Sequence, residues 1–198
     1  MPRPRSTDPG GGAVGLSLGT LRLRAIWLLA GPFLVGAHPT IPLLFLGAVL
    51  ATVGIAIRAW AAGTIAKERE LATTGPYAHT RNPLYLGTLM IGAGVTVGGG
   101  RWEFAMLFGF FFVFVYGRTI RGEADRLAER FGERYAAYAC QVPLFVPRAV
   151  PYRPIPVPGQ MNSHEGFSLV RWRKNREYEA LLGVVAGFLF LAVKLLWM

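Results

Sequence analysis

An arginine and a proline mark a place where the chain could hold an anionic group. Arg81 stands two residues before Pro83, and an apolar run begins at Leu84. Proline suits the first position of a helix, because the amide donor that it lacks would have no intrahelical partner there. The unpaired amides of such a helix start, beside an arginine, can bind an anion. The alternative is that Arg81 only anchors a membrane span at the lipid headgroups, with Tyr77 and Tyr85 as interfacial aromatic residues.

A second candidate group is the carboxylate of Glu123, which follows a long apolar run. A carboxylate close to a bilayer needs a partner, because its charge is costly to bury alone. A cationic ammonium group or a pair of hydroxyl groups on a bound molecule would supply charge-assisted hydrogen bonds. Glu123 is therefore a candidate ligand-binding residue.

The elements that position these residues are predicted to be membrane helices. Hydrophobic residues make up 53 % of the 198-residue chain and charged residues 16 %, against about 25 % charged in a typical soluble domain. A span needs about 20 apolar residues, and five are predicted, near 23–37, 41–61, 84–100, 102–120 and 180–198. The break between the first two is predicted from Pro39 and Pro42. The predicted fold is an all-α integral membrane protein with about five transmembrane helices.

The basic residues predict an orientation for these spans. If the N-terminus is cytoplasmic, only Arg101 and Lys194 of the 21 Lys and Arg residues fall on the outer side. Because cytoplasmic segments carry the excess of Lys and Arg, the two polar segments that contain Arg81 and Glu123 are expected on the cytoplasmic side of the membrane. The formal net charge is +10. Nucleic acid is not an expected partner, since the basic residues stand between long uncharged runs.

Composition divides the chain into five parts. These are a flexible basic tail at residues 1–20, a transmembrane hairpin at 21–63, a core at 64–148 with two spans, a proline-rich and basic interfacial segment at 149–177, and a transmembrane helix at 178–198. In the core, Leu127, Phe131, Tyr135 and Tyr138 share a stripe at helical spacing, which predicts an amphipathic basic helix along the bilayer surface. No metal site is predicted, because the single cysteine, Cys140, excludes a cysteine cluster.

The sequence from Gly75 to Gly87 reads Gly-Pro-Tyr-Ala-His-Thr-Arg-Asn-Pro-Leu-Tyr-Leu-Gly. A second block runs from Glu123 to Pro147 and contains Phe-Gly-Glu-Arg-Tyr and two Val-Pro pairs. Together they resemble the isoprenylcysteine carboxyl methyltransferase family and the related phospholipid methyltransferases. The family's first block is Gly-x-Tyr-x-x-x-Arg-His-Pro-x-Tyr-x-Gly, and its second begins with a Glu-Glu pair. This chain departs from them at Asn82 and Ala124. The resemblance covers residues 64–148.

The resemblance implies a pocket for S-adenosyl-L-methionine at the cytoplasmic ends of the third and fourth predicted spans. Leu71 and Tyr77 would wall the adenosine of the cofactor. Asn82 and Tyr85 would contact the cofactor from the start of the third span, and asparagine still offers a donor and an acceptor where the family has histidine. Glu123 would hold a polar end of the cofactor.

Three arginines are candidates for catalysis. The family places a substrate-binding arginine four residues before the glutamate, a position that is Thr119 here. Arg118 and Arg121 lie on either side of it, and Arg81 lies in the first block. Gly94 is a further candidate for cofactor binding, because a Gly-x-Gly in the third span is typical of the phospholipid branch. Close helix packing is the alternative explanation of Gly94.

Methyl transfer from S-adenosyl-L-methionine is a displacement at a sulfonium carbon, so the protein has to align the reactants and exclude water. An amine acceptor would also need a base. His79 is the histidine nearest the site, and its place in a basic loop is typical of a solvated side chain. The lack of a better base favours a carboxylate acceptor.

The sequence thus predicts a membrane-embedded methyltransferase resembling the protein-S-isoprenylcysteine O-methyltransferases, with a lipidic or prenylated substrate and membrane lipids as partners. The first alternative is a phospholipid or amine N-methyltransferase on the same scaffold. A membrane sterol reductase is a weaker alternative, because no feature calls for a nicotinamide. A basic, membrane-anchored interaction module without enzymatic activity is the remaining alternative.

Overall fold

The computed structural model describes residues 30–65, 71–153 and 166–198, and every regular element among them is helical. The chain has two compact units, Met1–Val35 and Gly36–Met198. Of the first unit only residues 30–35 are described, and they are helical. The predicted tail and residues 23–29 of the first predicted span therefore lie outside the described residues. The second unit contains α1 (Ile41–Thr64), α2 (Pro83–Gly98), α3 (Trp102–Phe131), α4 (Glu133–Gln141), α5 (Leu169–Lys174) and α6 (Tyr178–Leu196).

Three of these helices are long and apolar enough to cross a membrane. They are α1, α3 and α6, with 24, 30 and 19 residues. Helix α2 is also apolar but has 16 residues, so its length is about 24 Å at 1.5 Å per residue, somewhat less than the hydrocarbon core of a bilayer. An all-helical fold with three candidate membrane spans is thus confirmed for the described residues, and the count of five spans stays a prediction.

The predicted fourth span and the first part of the predicted amphipathic helix, up to Phe131, form one continuous helix, α3, whereas the part of that predicted helix with Tyr135 and Tyr138 forms the separate helix α4. The two α-helical parts of α3 are joined by a π turn over Phe112–Tyr116. The helix ends where Gly132 adopts a φ of +51°, a conformation that favours glycine. Helix α4 follows and carries Tyr135 and Tyr138, which pack with Val142 into a small apolar cluster. Because the π turn joins its two parts without a break, the polar half of α3 continues in line with its apolar half.

Helices α1 and α2 pack closely through glycines. A Cβ atom added at Gly94 would lie 2.5 Å from the carbonyl oxygen of Gly47 and 2.7 Å from the amide nitrogen of Ala51. One at Gly87 would lie 2.7 Å from the carbonyl oxygen of Gly54. Because both contacts involve main-chain atoms, the two helices can approach to this distance only where side chains are absent.

The C-terminal segment attaches to the end of α1. The last carbonyl groups of a helix have no intrahelical partner. Here the guanidinium of Arg171 donates from Nε to the carbonyl of Gly63 at 2.7 Å, and the side-chain amide of Asn175 donates to the carbonyl of Ala62 at 2.8 Å. The start of α6 therefore lies at the same end of the helical bundle as the start of α2.

Candidate active site

The loop before α2 is fixed by the chain that follows α4. The amide of Arg81 donates to the carbonyl of Pro143 at 3.0 Å. The amides of Arg148 and Tyr152 donate to the carbonyls of His79 and Ala78, respectively, each at 2.9 Å. Helix α2 then begins at Pro83, as the sequence predicts. The two sequence blocks are thus joined along their main chains.

A hydrogen bond between Tyr85 and Glu123 joins the two blocks again through side chains. The Tyr85 hydroxyl, on the first turn of α2, donates to Oε1 of Glu123 on α3 at 2.6 Å. The Tyr85 ring also packs edge-on against Tyr116, with ring centroids 5.5 Å apart. Tyr116 and Glu123 are seven residues apart, about two helical turns, and so share a face of α3. A partly buried carboxylate therefore lies beside two aromatic rings.

Tyr77 contributes a buried hydroxyl group to the same end of the bundle. Its side chain is 6 % exposed, and within the described part of the chain its hydroxyl has no hydrogen-bond partner. The Tyr77 carbonyl accepts a hydrogen bond from the Tyr138 hydroxyl at 2.7 Å. Burial raises the pKa of the Tyr77 phenol, and the charge of Glu123 adds to that rise. The phenol is therefore neutral at physiological pH and has an unused donor, an uncommon state for a buried polar group.

Arg81 is held by Tyr135 and also keeps one unused donor. Its Nη1 donates to the Tyr135 hydroxyl at 3.0 Å, and the guanidinium carbon lies 5.8 Å from the centroid of that ring. The Nε atom is buried and, among the residues described, has no hydrogen-bond partner. An oxygen of a bound anionic group would satisfy it. The anion-binding role of Arg81 stays a prediction, and this buried donor is the feature of the structure that bears on it.

Two other residues of the first block, and Leu71 shortly before it, have structural partners. The side-chain amide of Asn82 donates to the carbonyl of Leu144 at 2.9 Å, and Leu71 packs against the cluster around Tyr135 and Tyr138. His79 is not the solvated residue that the sequence predicts, because its Nδ1 lies 2.9 Å from the carbonyl oxygen of Arg148. A carbonyl can only accept, so Nδ1 carries the hydrogen.

The other two arginines predicted for catalysis do not approach Glu123. Arg118 and Arg121 are exposed on α3. At about 100° per residue, they point roughly 140° and 160° away from Glu123 around the helix axis. Thr119, which has the family's position for the arginine, donates its hydroxyl to the carbonyl of Val115 at 2.9 Å. A role of Arg118 or Arg121 in catalysis stays a prediction that this geometry does not support.

Gly94 lies at the contact between α1 and α2, where the main chain of α1 occupies the space beside its Cα atom. The packing alternative explains this glycine fully. Its predicted role in cofactor binding therefore stays a prediction without support from the geometry.

The sequence analysis did not identify an ion pair between Arg58 and Glu177. Arg58 on α1 donates from Nε and Nη2 to the two carboxylate oxygens of Glu177, each at 2.9 Å. Glu177, just before α6, is 8 % exposed. The available signal was a charged residue inside an otherwise apolar span, which usually has a partner and a purpose. The position of that partner, 119 residues further on, has no signature in the sequence.

These features define an apolar helical bundle that gathers aromatic, carboxylate and guanidinium groups at one end. Residues 41–134 match the family model described as phospholipid methyltransferase. The resemblance noted in the sequence is thereby confirmed for this segment.

Two curated relatives are similar to the chain. It is 33 % identical over 129 residues to the nickel-cobalt-cadmium resistance protein NccN of Alcaligenes xylosoxydans xylosoxydans, covering 64 % of the chain and 55 % of the relative. It is 37 % identical over 110 residues to the cobalt-zinc-cadmium resistance protein CzcN of Cupriavidus metallidurans, covering 54 % of the chain and 49 % of that relative. The chain thus spans about half the length of these relatives. No solved structure matches it.

Proposed function

We propose that this chain is a membrane methyltransferase that takes its methyl group from S-adenosyl-L-methionine and transfers it to a lipidic acceptor. The proposal is carried by the hydrogen bond between Tyr85 and Glu123. This bond connects the two blocks through residues that are 38 positions apart, and both residues lie inside the segment that matches the family.

The residues around this bond fit the cofactor. S-adenosyl-L-methionine carries a sulfonium and an ammonium group, and a carboxylate beside aromatic rings is a favourable environment for such cations. Tyr77 has an unused hydroxyl donor that the polar atoms of a nucleoside could satisfy. Leu71, Tyr77, Asn82, Tyr85 and Glu123 would hold the cofactor. When bound, it supplies an electrophilic methyl group.

The contribution of the protein is to orient the reactants and to exclude water. A displacement needs the acceptor, the methyl carbon and the sulfur in line. The Tyr85–Glu123 pair would fix one side of that alignment, and the rings of Tyr85 and Tyr116 limit the access of water. If the acceptor is anionic, its charge and that of the sulfonium cancel as the methyl group moves, so a dry site favours the reaction.

We favour a carboxylate acceptor, such as that of an isoprenylcysteine. Arg81 supports this choice, because its guanidinium is held by Tyr135 and has a buried Nε donor without a partner. A carboxylate bound by this group needs no base before it attacks. The apolar tail of the acceptor would remain in the bilayer.

A phospholipid or amine N-methyltransferase is the second candidate. The description of the matching family favours it, and so does the geometry of His79. With a hydrogen on Nδ1 directed at the carbonyl of Arg148, the neutral ring keeps its lone pair on Nε2. That nitrogen could accept a proton from an amine.

We further propose that the site faces the cytoplasm, on the basis of the uneven distribution of Lys and Arg. The names of the two relatives suggest a setting for the activity, which is methylation of a membrane component in cells resistant to divalent metals. Among the residues described, no group of three His, Cys, Asp or Glu side chains could hold a metal ion.

Binding and transfer of a labelled methyl group test the proposal. Purified protein in detergent should bind S-adenosyl-L-methionine labelled in the methyl group, and membranes containing the protein should transfer the label to a farnesylated cysteine analogue. A methyl ester releases volatile methanol in mild base, whereas a methylated amine does not. Volatile label is the expected result. Label that resists base would support the amine alternative, and failure to bind the cofactor would refute the methyltransferase in favour of an interaction module.

A further inference from the structure

We propose that Glu177 is a positioning residue for the site, because it fixes the turn of α2 that carries Tyr85 by acting through Arg58. Glu177 lies beyond residues 41–134, the segment that matches the family. The inference rests on the proposed function for its effect on cofactor binding. The structural link itself can be tested without any activity.

The link is a continuous series of side-chain contacts. Glu177 accepts two hydrogen bonds from Nε and Nη2 of Arg58, each at 2.9 Å. The remaining terminal nitrogen of Arg58, Nη1, donates to the hydroxyl oxygen of Thr88 at 2.6 Å. That hydroxyl donates in turn to the carbonyl of Leu84 at 2.9 Å. Leu84 and Thr88 are one turn of α2 apart, and Tyr85 lies between them.

The packing of α1 against α2 makes room for this link. A Cβ atom at Gly87 would lie 2.5 Å from Cγ of Arg58 and 2.7 Å from the carbonyl oxygen of Gly54. The aliphatic part of Arg58 therefore crosses α2 at the position where α2 has no side chain. Gly87 is the last residue of the first sequence block, so part of that block serves to admit Arg58.

The charges of the ion pair also influence the pKa of the buried Tyr77 phenol. Glu177 adds to the rise in the pKa of that hydroxyl, and Arg58 opposes it. Arg58 and Glu177 therefore act electrostatically on Tyr77, which is predicted for the cofactor pocket. Hydrogen bonds also link them to the turn of α2 that carries Tyr85, another predicted pocket residue.

Different variants separate positioning from general stability. Removal of one partner of a buried ion pair leaves an uncompensated charge and can unfold a protein, so Glu177→Gln alone would be ambiguous. Thr88→Val is milder, because it leaves the ion pair intact and removes the short hydrogen bond from Arg58 to α2, so that only the long 3.5 Å contact from Nη1 of Arg58 to the carbonyl of Leu84 remains. Thr52→Val is its matched control, since Thr52 makes the same type of bond to a carbonyl four residues earlier but on the exposed side of α1. Glu179→Gln is the control for Glu177→Gln, because Glu179 forms an exposed ion pair at the start of α6.

The environment of Tyr85 is the decisive measurement. The full chain is prepared with 3-fluorotyrosine at position 85 only, and its ¹⁹F resonance is recorded in detergent. Glu123→Gln defines the resonance of a Tyr85 that has lost its charged partner. We expect Thr88→Val and Glu177→Gln to move the resonance toward that position or to broaden it, and we expect both controls to match the unmodified protein. In the same samples the affinity for S-adenosyl-L-methionine should fall roughly 3- to 10-fold in Thr88→Val, as expected for the partial loss of a charge-assisted hydrogen bond.

An unchanged Tyr85 resonance in Thr88→Val would overturn the proposal, whatever the thermal stability of that variant. If the unmodified protein binds no S-adenosyl-L-methionine, the proposed function fails, but the resonance still decides whether Glu177 and Arg58 position Tyr85.

Discussion

Replacement of Glu123 by glutamine should weaken binding of S-adenosyl-L-methionine and leave the protein folded. Glutamine keeps the shape of the side chain and loses its charge. The Tyr85 hydroxyl lies 2.6 Å from Oε1 of Glu123, a distance typical of a hydroxyl that donates to an ionised carboxylate. The substitution therefore replaces a charge-assisted hydrogen bond by a neutral one, and it removes the negative charge that a cationic cofactor would meet.

The size of the effect on affinity follows from the strength of a charge-assisted hydrogen bond between Glu123 and the bound cofactor. A hydrogen bond to a charged group contributes about 1.5–3 kcal/mol, which corresponds to roughly 10- to 100-fold in affinity. Glu123 is only partly buried, so solvent screening favours the lower half of that range. Tyr85→Phe removes the same bond from the other side. The loss of cofactor affinity in the double variant should therefore be much smaller than the product of the losses in the two single variants.

The assay is equilibrium binding of labelled S-adenosyl-L-methionine to detergent-purified protein, with circular dichroism as the check on folding. Glu129→Gln is the matched control, because Glu129 is an exposed carboxylate on the same helix, and it should change the affinity less than twofold. Equal effects of the two substitutions would refute the assignment of Glu123 to the pocket. Independent, additive effects of Glu123→Gln and Tyr85→Phe would refute a shared role.

Two further outcomes are expected. Tyr77→Phe should raise the melting temperature of the ligand-free protein, because it removes a buried hydroxyl without a partner. The same substitution should weaken cofactor binding by about tenfold through the loss of a donor. A fall in both stability and affinity, or a rise in both, would contradict this expectation. Gly94→Ala should destabilise the protein by roughly 1–3 kcal/mol in thermal unfolding, because its methyl group meets the main chain of α1, whereas Gly117→Ala, with open space around its Cα atom, should not.

Much of the fold follows from local patterns in the sequence. The start of α2 at Pro83 was predicted correctly, because the first turn of a helix favours proline for a reason that involves no other part of the chain. The apolar runs of α1 and α6 were found for the same kind of reason, since hydropathy is a local property. The boundary after residue 120 was misplaced, because a change from apolar to amphipathic composition can occur within one helix, as it does in α3.

The proximity of Tyr85 and Glu123 was expected from the family resemblance, and no spacing rule in the sequence required it. The pairing of Arg58 with Glu177 could not be predicted, because the sequence contains 11 acidic residues and only packing selects one of them as the partner. Packing also decides the environment of Gly94. A glycine in a helix indicates a close approach, but whether a neighbouring helix or a ligand fills the space depends on the tertiary arrangement.

The π turn in α3 determines which side chains of its polar half face α2. Such a turn places one residue more than an α-helix would in the same length, which rotates everything after it by about 100° around the axis. The turn at Phe112–Tyr116 lies between the apolar part of α3 and Glu123. Loss of one residue from this turn would leave the helix long and apolar enough to span a membrane, yet it would direct a different residue toward Tyr85. Insertions and deletions at this position therefore alter the chemistry of the site while the membrane topology stays the same.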